Sequence, residues 1–463
     1  MIDSNYRIAV LGLGREGLDL IRFLNTIKIK PTGLDARKSK DFSKADFNEI
    51  TKRTSQTYLG DDHLDHFHEF DLVFRSPGVS LLLPEIKQAK KQGVIFSTLT
   101  ALFFNLCPAQ IIGVTGTKGK STTTSLIHHL IKGNTDGKVY FGGNIGVPPL
   151  AWLSKLSKSD IVILELSSFQ LEDLDKSPHI AVLLKVIPEH LDRHGTFKKY
   201  SDAKSNIFLH QAKSDFLISS DDYASMRRLI KKAPGKNYKY STKKILARGV
   251  YLIGDDIVSR NAQTGKRDLI IPKTQVPLPG KHNLQNVLAA IAAALLASVS
   301  PAQIRKKMKS FRALKHRLEM VGSFKGVNFV NDSMATTPPA TLAALDAITG
   351  EVVLIMGGVS KGENINALAK SLNNHKIKGI VLIGEMAERL ACALDAYAKD
   401  VPHRFAGNLG SAVKKAYNYL DGYGGTVLLS PSFASFDMFK DAYDRGDQFK
   451  TIVKTFINQQ KNL

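Results

Sequence analysis

The segment Gly113-Val114-Thr115-Gly116-Thr117-Lys118-Gly119-Lys120-Ser121-Thr122 decides the reading of this chain. It follows an apolar run, Ile111 to Val114, and precedes a helical stretch, Thr123 to Lys132. Glycines at such a strand-to-helix turn let backbone N–H groups close around phosphate oxygens. The helix N-terminus adds positive potential. On this reading Gly116, Thr117, Lys118 and Gly119 wrap a nucleotide's phosphates. Lys120 meets the terminal phosphates, and Ser121 or Thr122 helps to hold magnesium. The strict form of the loop has glycine five residues before Gly119, where this chain has Val114. A ligand-free Gly-rich turn is the bland alternative; the Gly-Lys-Ser-Thr ending argues against it.

Upstream, Arg7 to Leu11 reads as a strand, followed by Gly12, Gly14 and Gly17 and a helical pattern through Leu18, Leu20, Ile21 and Leu24. Thr32 to Asp35 and Asp71 to Phe74 read as further strands, the second ending in Ser76-Pro77-Gly78. Strand–loop–helix alternation argues a parallel α/β domain, expected over residues 1–109. Gly12-x-Gly14-x-x-Gly17, with Asp35 at the end of the next strand, is also the pattern of a dinucleotide site. An NAD(P)-dependent oxidoreductase is therefore an alternative, but it leaves the Thr115–Thr122 loop unexplained.

Downstream, Ile161 to Leu166 and Ile180 to Val186 continue the sheet that begins at Ile111. Residues 245–278 alternate short apolar runs with Gly, Asp and Pro and are expected to form a small antiparallel β insertion. A helix after Pro279 and another over Pro301 to Lys309 close a second domain, 110–313. Strand-like runs at Val327–Val330, Val352–Met356, Gly379–Ile383 and Thr426–Leu429 give a third, 314–463, with ligands expected at the C-terminal strand ends. The expected fold class is α/β, with three domains in series.

The 463 residues suit two to four domains, and 43% hydrophobic content is ordinary for a globular chain. Cys107 and Cys392 lie far apart without metal-ligand spacing and read as buried thiols of a reducing compartment. No signal peptide is visible, and the apolar run Val287–Val299 is too short to span a bilayer. A cytoplasmic protein without membrane association is expected. The balance of 64 Lys+Arg against 42 Asp+Glu, a net +22, suits anionic partners. The densest basic stretch, Arg227 to Lys244, lacks the aromatic interleaving of a single-strand binder. Nucleic acid is therefore not expected; a basic nucleic-acid-dependent ATPase would show steep salt dependence.

Thr-Gly-Thr-Lys-Gly-Lys-Ser-Thr, residues 115–122, resembles the ATP loop of the Mur ligase superfamily, and the resemblance covers almost the whole chain. Gly142-Gly143-Asn144-Ile145-Gly146, Glu165-Leu166-Ser167-Ser168-Phe169-Gln170-Leu171 and Pro188-Glu189-His190-Leu191-Asp192-Arg193-His194 are similar to its later elements. So are Tyr200, Lys204 and Ile207, and Pro279-Gly280-Lys281-His282-Asn283-Leu284-Gln285-Asn286. His316-Arg317-Leu318-Glu319 and Asn331-Asp332-Ser333 resemble the start of its third domain. Ser430-Pro431-Ser432-Phe433-Ala434-Ser435-Phe436-Asp437, with Arg445-Gly446-Asp447, is close to its glutamate-adding branch. A sibling ligase such as a folylpolyglutamate synthase is the alternative within the superfamily.

The resemblance implies an enzyme that uses ATP to join glutamate to UDP-N-acetylmuramoyl-L-alanine through an acyl phosphate, as a monomer. It implies two magnesium ions, held by Ser121, Glu165, His190 and a carbamylated Lys204. Lys118 and Lys120 would stabilise the transferring phosphoryl group. Asn283 and Asn286 would read adenine, and Arg317 and Asp332 the ribose and its neighbourhood. Gly14, Asp35, Arg37, Ser76, Asn144 and Ser167 would hold the UDP-linked substrate. Thr336, Lys361 and Ser435 would hold the incoming glutamate. Met334 stands where the family has lysine, and Ala442 where an aromatic packs the glutamate. These departures leave L-glutamate open beside the expected D-glutamate.

Overall fold

The computed structural model describes residues 5–144, 147–260, 265–278, 280–312, 314–360, 362–373, 375–420 and 424–461. They fall into two compact units. One contains residues up to Gln275 together with Gln285–Ser310; the other contains Val276–Leu284 and Phe311 onward.

The first unit holds two sheets. The first runs in the order Gln56–Leu59, Thr32–Asp35, Ile8–Leu11, Leu72–Arg75, Ile95–Ser97, and every pairing is parallel. The chain leaves its central strand first to one side and then to the other. This creates a switch point at the C-terminal end of Ile8–Leu11, where open α/β sheets bind ligands. The helix Arg15–Thr26 buries Leu20, Ile21 and Leu24 against this sheet.

The second sheet has nine strands among the described residues. Its parallel centre places Gln110–Thr115 between Ile161–Glu165 and Ile180–Leu183, with Val139–Gly143 beyond Ile161–Glu165. On the other side follow Phe216–Ser220, Lys236–Ser241 and Gly249–Ile253. The antiparallel strands expected within 245–278 are Gly249–Ile253, Asp256–Arg260 and Arg267–Pro272. They extend the central sheet at its edge, because Gly249–Ile253 pairs in parallel with Lys236–Ser241. An apolar core joins the two sheets, with Ile21, Leu102 and Phe103 in one cluster with Leu164 and Leu171. The apolar run Val287–Ala294 lies in the helix Lys281–Leu296 and is fully buried. No helix among the described residues is long and apolar enough to cross a membrane.

The second unit carries one sheet, in the order Glu319–Phe324, Val327–Asn331, Gly425–Ser432, Val352–Gly357, Ile377–Ile383, His403–Phe405. The first pairing is antiparallel and the rest are parallel. Val352, Leu354 and Met356 face one layer of helices, and Val353 and Ile355 the other. Burial on both faces is why these strands read as unbroken apolar runs.

Candidate active site

Three strand ends stand side by side in the central sheet. Val114 pairs with Glu165, and Gly143 pairs with Glu165 from the other side. The Gly-rich loop therefore leaves the sheet next to Glu165 and to the turn that carries Asn144. The loop folds as the sequence requires. Gly119 caps the helix Lys120–Ile131 in the left-handed region, φ +86°, and a Cβ there would collide with the Asn286 side chain. A Cβ at Gly116 would lie 2.6 Å from the Leu184 Cβ.

The side chains around the loop are held in place. Lys120 Nζ donates to the carbonyls of Gly116, 3.0 Å, and Thr117, 2.9 Å. Lys118 pairs with Glu189. The Thr117 hydroxyl bridges Ile187 and the Tyr200 hydroxyl. Ser121 is buried in the first helical turn. Lys204 is only 1% exposed, and its Nζ donates to Thr115 Oγ1 at 3.3 Å. Burial, reinforced by the charge of Lys120, holds its amine well below the ordinary lysine range, against the opposing pull of Glu189 and Glu165. Glu165 is equally buried. Its Oε1 accepts from Asn144 Nδ2, while Oε2 is enclosed without a hydrogen-bond partner among the described residues. A buried carboxylate oxygen left open is suited to an oxygen-seeking cation. His190 has a left-handed backbone, φ 55°, and a half-exposed ring against Phe169 and Tyr200. No group of three His, Cys, Asp or Glu side chains converges as a metal cage among the described residues.

A cavity of 440 Å³ opens at the switch point of the first sheet and reaches Gly143 and Asn144. Gly14, Asp35 and Ser76 line it. The three glycines divide the work. Gly12, φ +90°, packs on Ser76, a Cβ at Gly17 would collide with the Gly12 carbonyl, and Gly14 faces open space. Ser76 donates its hydroxyl to the Gly12 carbonyl. Arg37 is not in the wall; it forks onto the Asp35 carboxylate and lies over Phe42.

Sequence reasoning gave no role to the contacts that tie the first sheet to the segments around the central sheet, although Gln170 and Arg193 lie in motifs it quoted. Arg75 is fully buried and meets Asp173 with both carboxylate oxygens at 3.1 Å. Gln170 bonds Glu16 on the first helix and also closes the capping box on Ser167. Arg193 donates to the carbonyls of Pro77 and Gly78. Pairs so distant in the chain leave no local signal.

In the second unit, the turn after Asn331 lies along Ser430–Ser435. Asp332 accepts from the Ser430 hydroxyl and the Leu318 amide, and burial pushes its pKa up to about 7. The Arg317 charge partly opposes that rise. Thr336 is half-buried, and Ser435 is buried one residue beyond Ala434. Arg445, fully enclosed, grips the Ser333 hydroxyl and carbonyl and the Phe433 carbonyl. Asn283 and Asn286 are both buried. Lys361, Ile145, Gly146 and Pro279 lie outside the described residues.

Comparison with known proteins gives the arrangement its kinship. The family model described as Mur ligase MurD-like, N-terminal domain, matches residues 6–97. The Mur ligase middle domain matches 114–294, and the Mur ligase glutamate ligase domain matches 316–433. The chain belongs to the Mur ligase family. It is 37% identical over 458 residues to UDP-N-acetylmuramoylalanine–D-glutamate ligase of Acetivibrio thermocellus, covering 98% of this chain and 97% of that one. The proteins of the same name from Thermoanaerobacter sp. and Clostridium tetani are 35% and 34% identical, with 96% and 97% of this chain covered and 98% and 97% of theirs. Among solved structures, a MurF ligase from Thermotoga maritima in complex with ADP matches with a TM-score of 0.59 at 15% identity, covering 98% of this chain and all of that one. MurC from the same organism matches at 0.57 and 16% identity, over 97% of this chain and 100% of its own. These two likenesses carry the fold alone.

Proposed function

We propose that this chain joins D-glutamate to UDP-N-acetylmuramoyl-L-alanine, cleaving ATP to ADP and phosphate, in peptidoglycan synthesis. The observation that carries this reading is the meeting of the Gly-rich loop, Glu165 and the Asn144 end of the cavity at neighbouring strand ends. A nucleotide-linked substrate lying in that cavity, its far end at Asn144, presents a carboxylate to the phosphates of ATP on the loop. The relatives that span the whole chain carry D-glutamate in their names, which favours that amino acid over its mirror image.

In the first step, a carboxylate oxygen attacks the γ-phosphorus and the bond to ADP breaks, giving an acyl phosphate. In the second, the glutamate amine attacks the acyl carbon, loses a proton, and phosphate leaves with the bonding electrons. Two anions must approach in the first step, so Lys118 and Lys120 have to neutralise charge on the oxygens between them. Glu189 keeps Lys118 at the loop until phosphate replaces it.

Magnesium fits this site, because the open oxygen of Glu165 and the Ser121 hydroxyl are hard donors beside the phosphates. It would lower the repulsion between the two anions. Lys204 as an ammonium would oppose a cation. Burial favours the neutral amine, the form that adds to carbon dioxide, releasing a proton and presenting carbamate oxygens instead. His190 completes the proposed ligand set. Arg317, Asp332, Asn283 and Asn286 are assigned to the nucleoside of ATP, and Thr336, Lys361 and Ser435 to glutamate. A monomer working in the cytoplasm, where these substrates are expected, is part of the same reading.

The test supplies UDP-N-acetylmuramoyl-L-alanine, ATP and magnesium with D-glutamate or L-glutamate, reading product mass and ADP. Product with D-glutamate is expected. Product with L-glutamate alone would overturn the choice of amino acid, and none with either would overturn the reaction.

A further inference from the structure

The cavity of the first sheet has two ends. One abuts Asn144 and, through it, Glu165. If the reacting carboxylate sits there, as the proposed function requires, the base of the nucleotide-linked substrate lies toward the rest of the lining. Asp35 and Ala36, at the end of Thr32–Asp35, and His63, beyond the edge strand Gln56–Leu59, line the cavity there.

Asp35 is the obvious reader of a base, but its acceptor capacity is used within the protein. Oδ2 accepts from the Leu13 amide, 2.7 Å, and from Arg37 Nη2, 2.8 Å. Oδ1 accepts from the Arg37 amide and Nε, both 2.9 Å. A carboxylate offers about four lone-pair sites, and all are filled here.

His63 is placed differently. It sits in the turn after the strand Gln56–Leu59, and that turn is tied to the next strand because the Gly60 amide donates to the Asp35 carbonyl at 2.9 Å. The Gly60 carbonyl in turn lies 2.7 Å from His63 Nδ1. A carbonyl can only accept, so Nδ1 carries the proton, and in the neutral ring Nε2 is left as a lone-pair acceptor. Nε2 has no partner among the described residues. The ring is thus preorganised, with a fixed tautomer, on the wall of the cavity.

We infer that His63 is a specificity-determining residue that reads the base of the substrate, its Nε2 accepting the hydrogen bond of the N3–H group of uracil. The inference rests on the function proposed above. A reader of this kind supplies binding that is the same in the ground and transition states, so its loss raises KM and leaves kcat in place.

The experiment compares wild type with His63→Ala by steady-state kinetics, and by competition with UDP and with its N3-methyl derivative. The expected loss is about tenfold in KM for the UDP-linked substrate, the scale of one hydrogen bond in a desolvated site. kcat and the KM for ATP stay within about twofold, which also shows that the variant is folded. N3-methylation weakens UDP binding to wild type by a similar factor and makes no difference to the variant. If His63→Ala keeps the wild-type KM and still discriminates against the methylated nucleotide, the assignment of His63 is wrong while the function stands. If wild type does not bind UDP at all, the functional reading itself falls, and the assignment with it.

Discussion

Asn144 and Glu165 are joined twice, by the Asn144 side chain donating to Glu165 Oε1 at 2.9 Å and by the Asn144 amide donating to the Glu165 carbonyl, also at 2.9 Å. The residue that walls the cavity of the first sheet thereby fixes the carboxylate that stands beside the Gly-rich loop. Asn144→Ala leaves Oε1 buried without its donor, like Oε2. If Glu165 holds magnesium as proposed, the expected result is a 10- to 100-fold fall in kcat, roughly the cost of losing a partner of a metal ligand. Steady-state rates at saturating ATP check it, with a melting curve to separate the cost of the orphaned oxygen, about 1–3 kcal/mol.

Lys120→Ala removes the cation that bonds Gly116 and Thr117 and that the proposed function sets against the phosphates of ATP. Loss of one such stabilising group costs about 10²–10³ in rate or more. ADP release in the presence of both other substrates measures it; near-normal turnover would put ATP elsewhere.

Lys204 makes a prediction about pH as well as rate. Its folded amine titrates well below the ordinary value of 10.5, so between those two values the unfolded chain binds more protons. Stability therefore rises with pH across that window and is lost as pH falls through it. In carbonate-free buffer, Lys204→Met is expected to unfold at higher denaturant than wild type near neutrality, and the gap should close toward alkaline pH. The same variant is expected to be inactive. Lys204→Ala is expected to regain part of its activity with a short carboxylic acid in solution, read by ADP release.

The carboxyl of Asp332 titrates at about 7 in the fold against 3.8 as a free side chain. The folded state binds the extra proton between those values. Stability from this group is complete below the unfolded pKa and is lost as pH rises through about 7. Asp332→Asn should flatten that decline, seen in urea midpoints measured across the same range.

Arg75→Ala would strand Asp173 and open a hole where a fully enclosed side chain sits. Breaking a fully buried pair costs about 3–5 kcal/mol; Asp173 is partly exposed, which puts Arg75→Ala toward the lower figure, and Arg75→Met, which fills the space, costs less. Chemical denaturation of the two variants distinguishes charge from packing.

The strands that the sequence made legible are the ones buried on both faces, such as Val352–Gly357 and Ile161–Glu165, whose apolar runs are unbroken. Gln56–Leu59 and Glu319–Phe324 escaped notice because they are edge strands with mixed polarity, ordered by the neighbour they pair with. The strand–turn–helix of the Gly-rich loop was legible because each residue answers a local demand: left-handed Gly119, Lys120 at the first turn, Thr115 at the strand end. Arg75 and Asp173 were not, since 98 residues separate them and each alone reads as an ordinary surface charge. Asp35 was singled out by its spacing. That its four acceptor sites are filled by Leu13 and Arg37 depends on loop geometry that spacing does not encode.

The central claim is that this site activates a carboxylate as an acyl phosphate. The most direct test labels the terminal carboxylate of UDP-N-acetylmuramoyl-L-alanine with heavy oxygen and weighs the phosphate released on ligation with D-glutamate. The account predicts that a carboxylate oxygen is carried into the phosphate in every turnover. Phosphate free of the label, with the amide product formed, would contradict it.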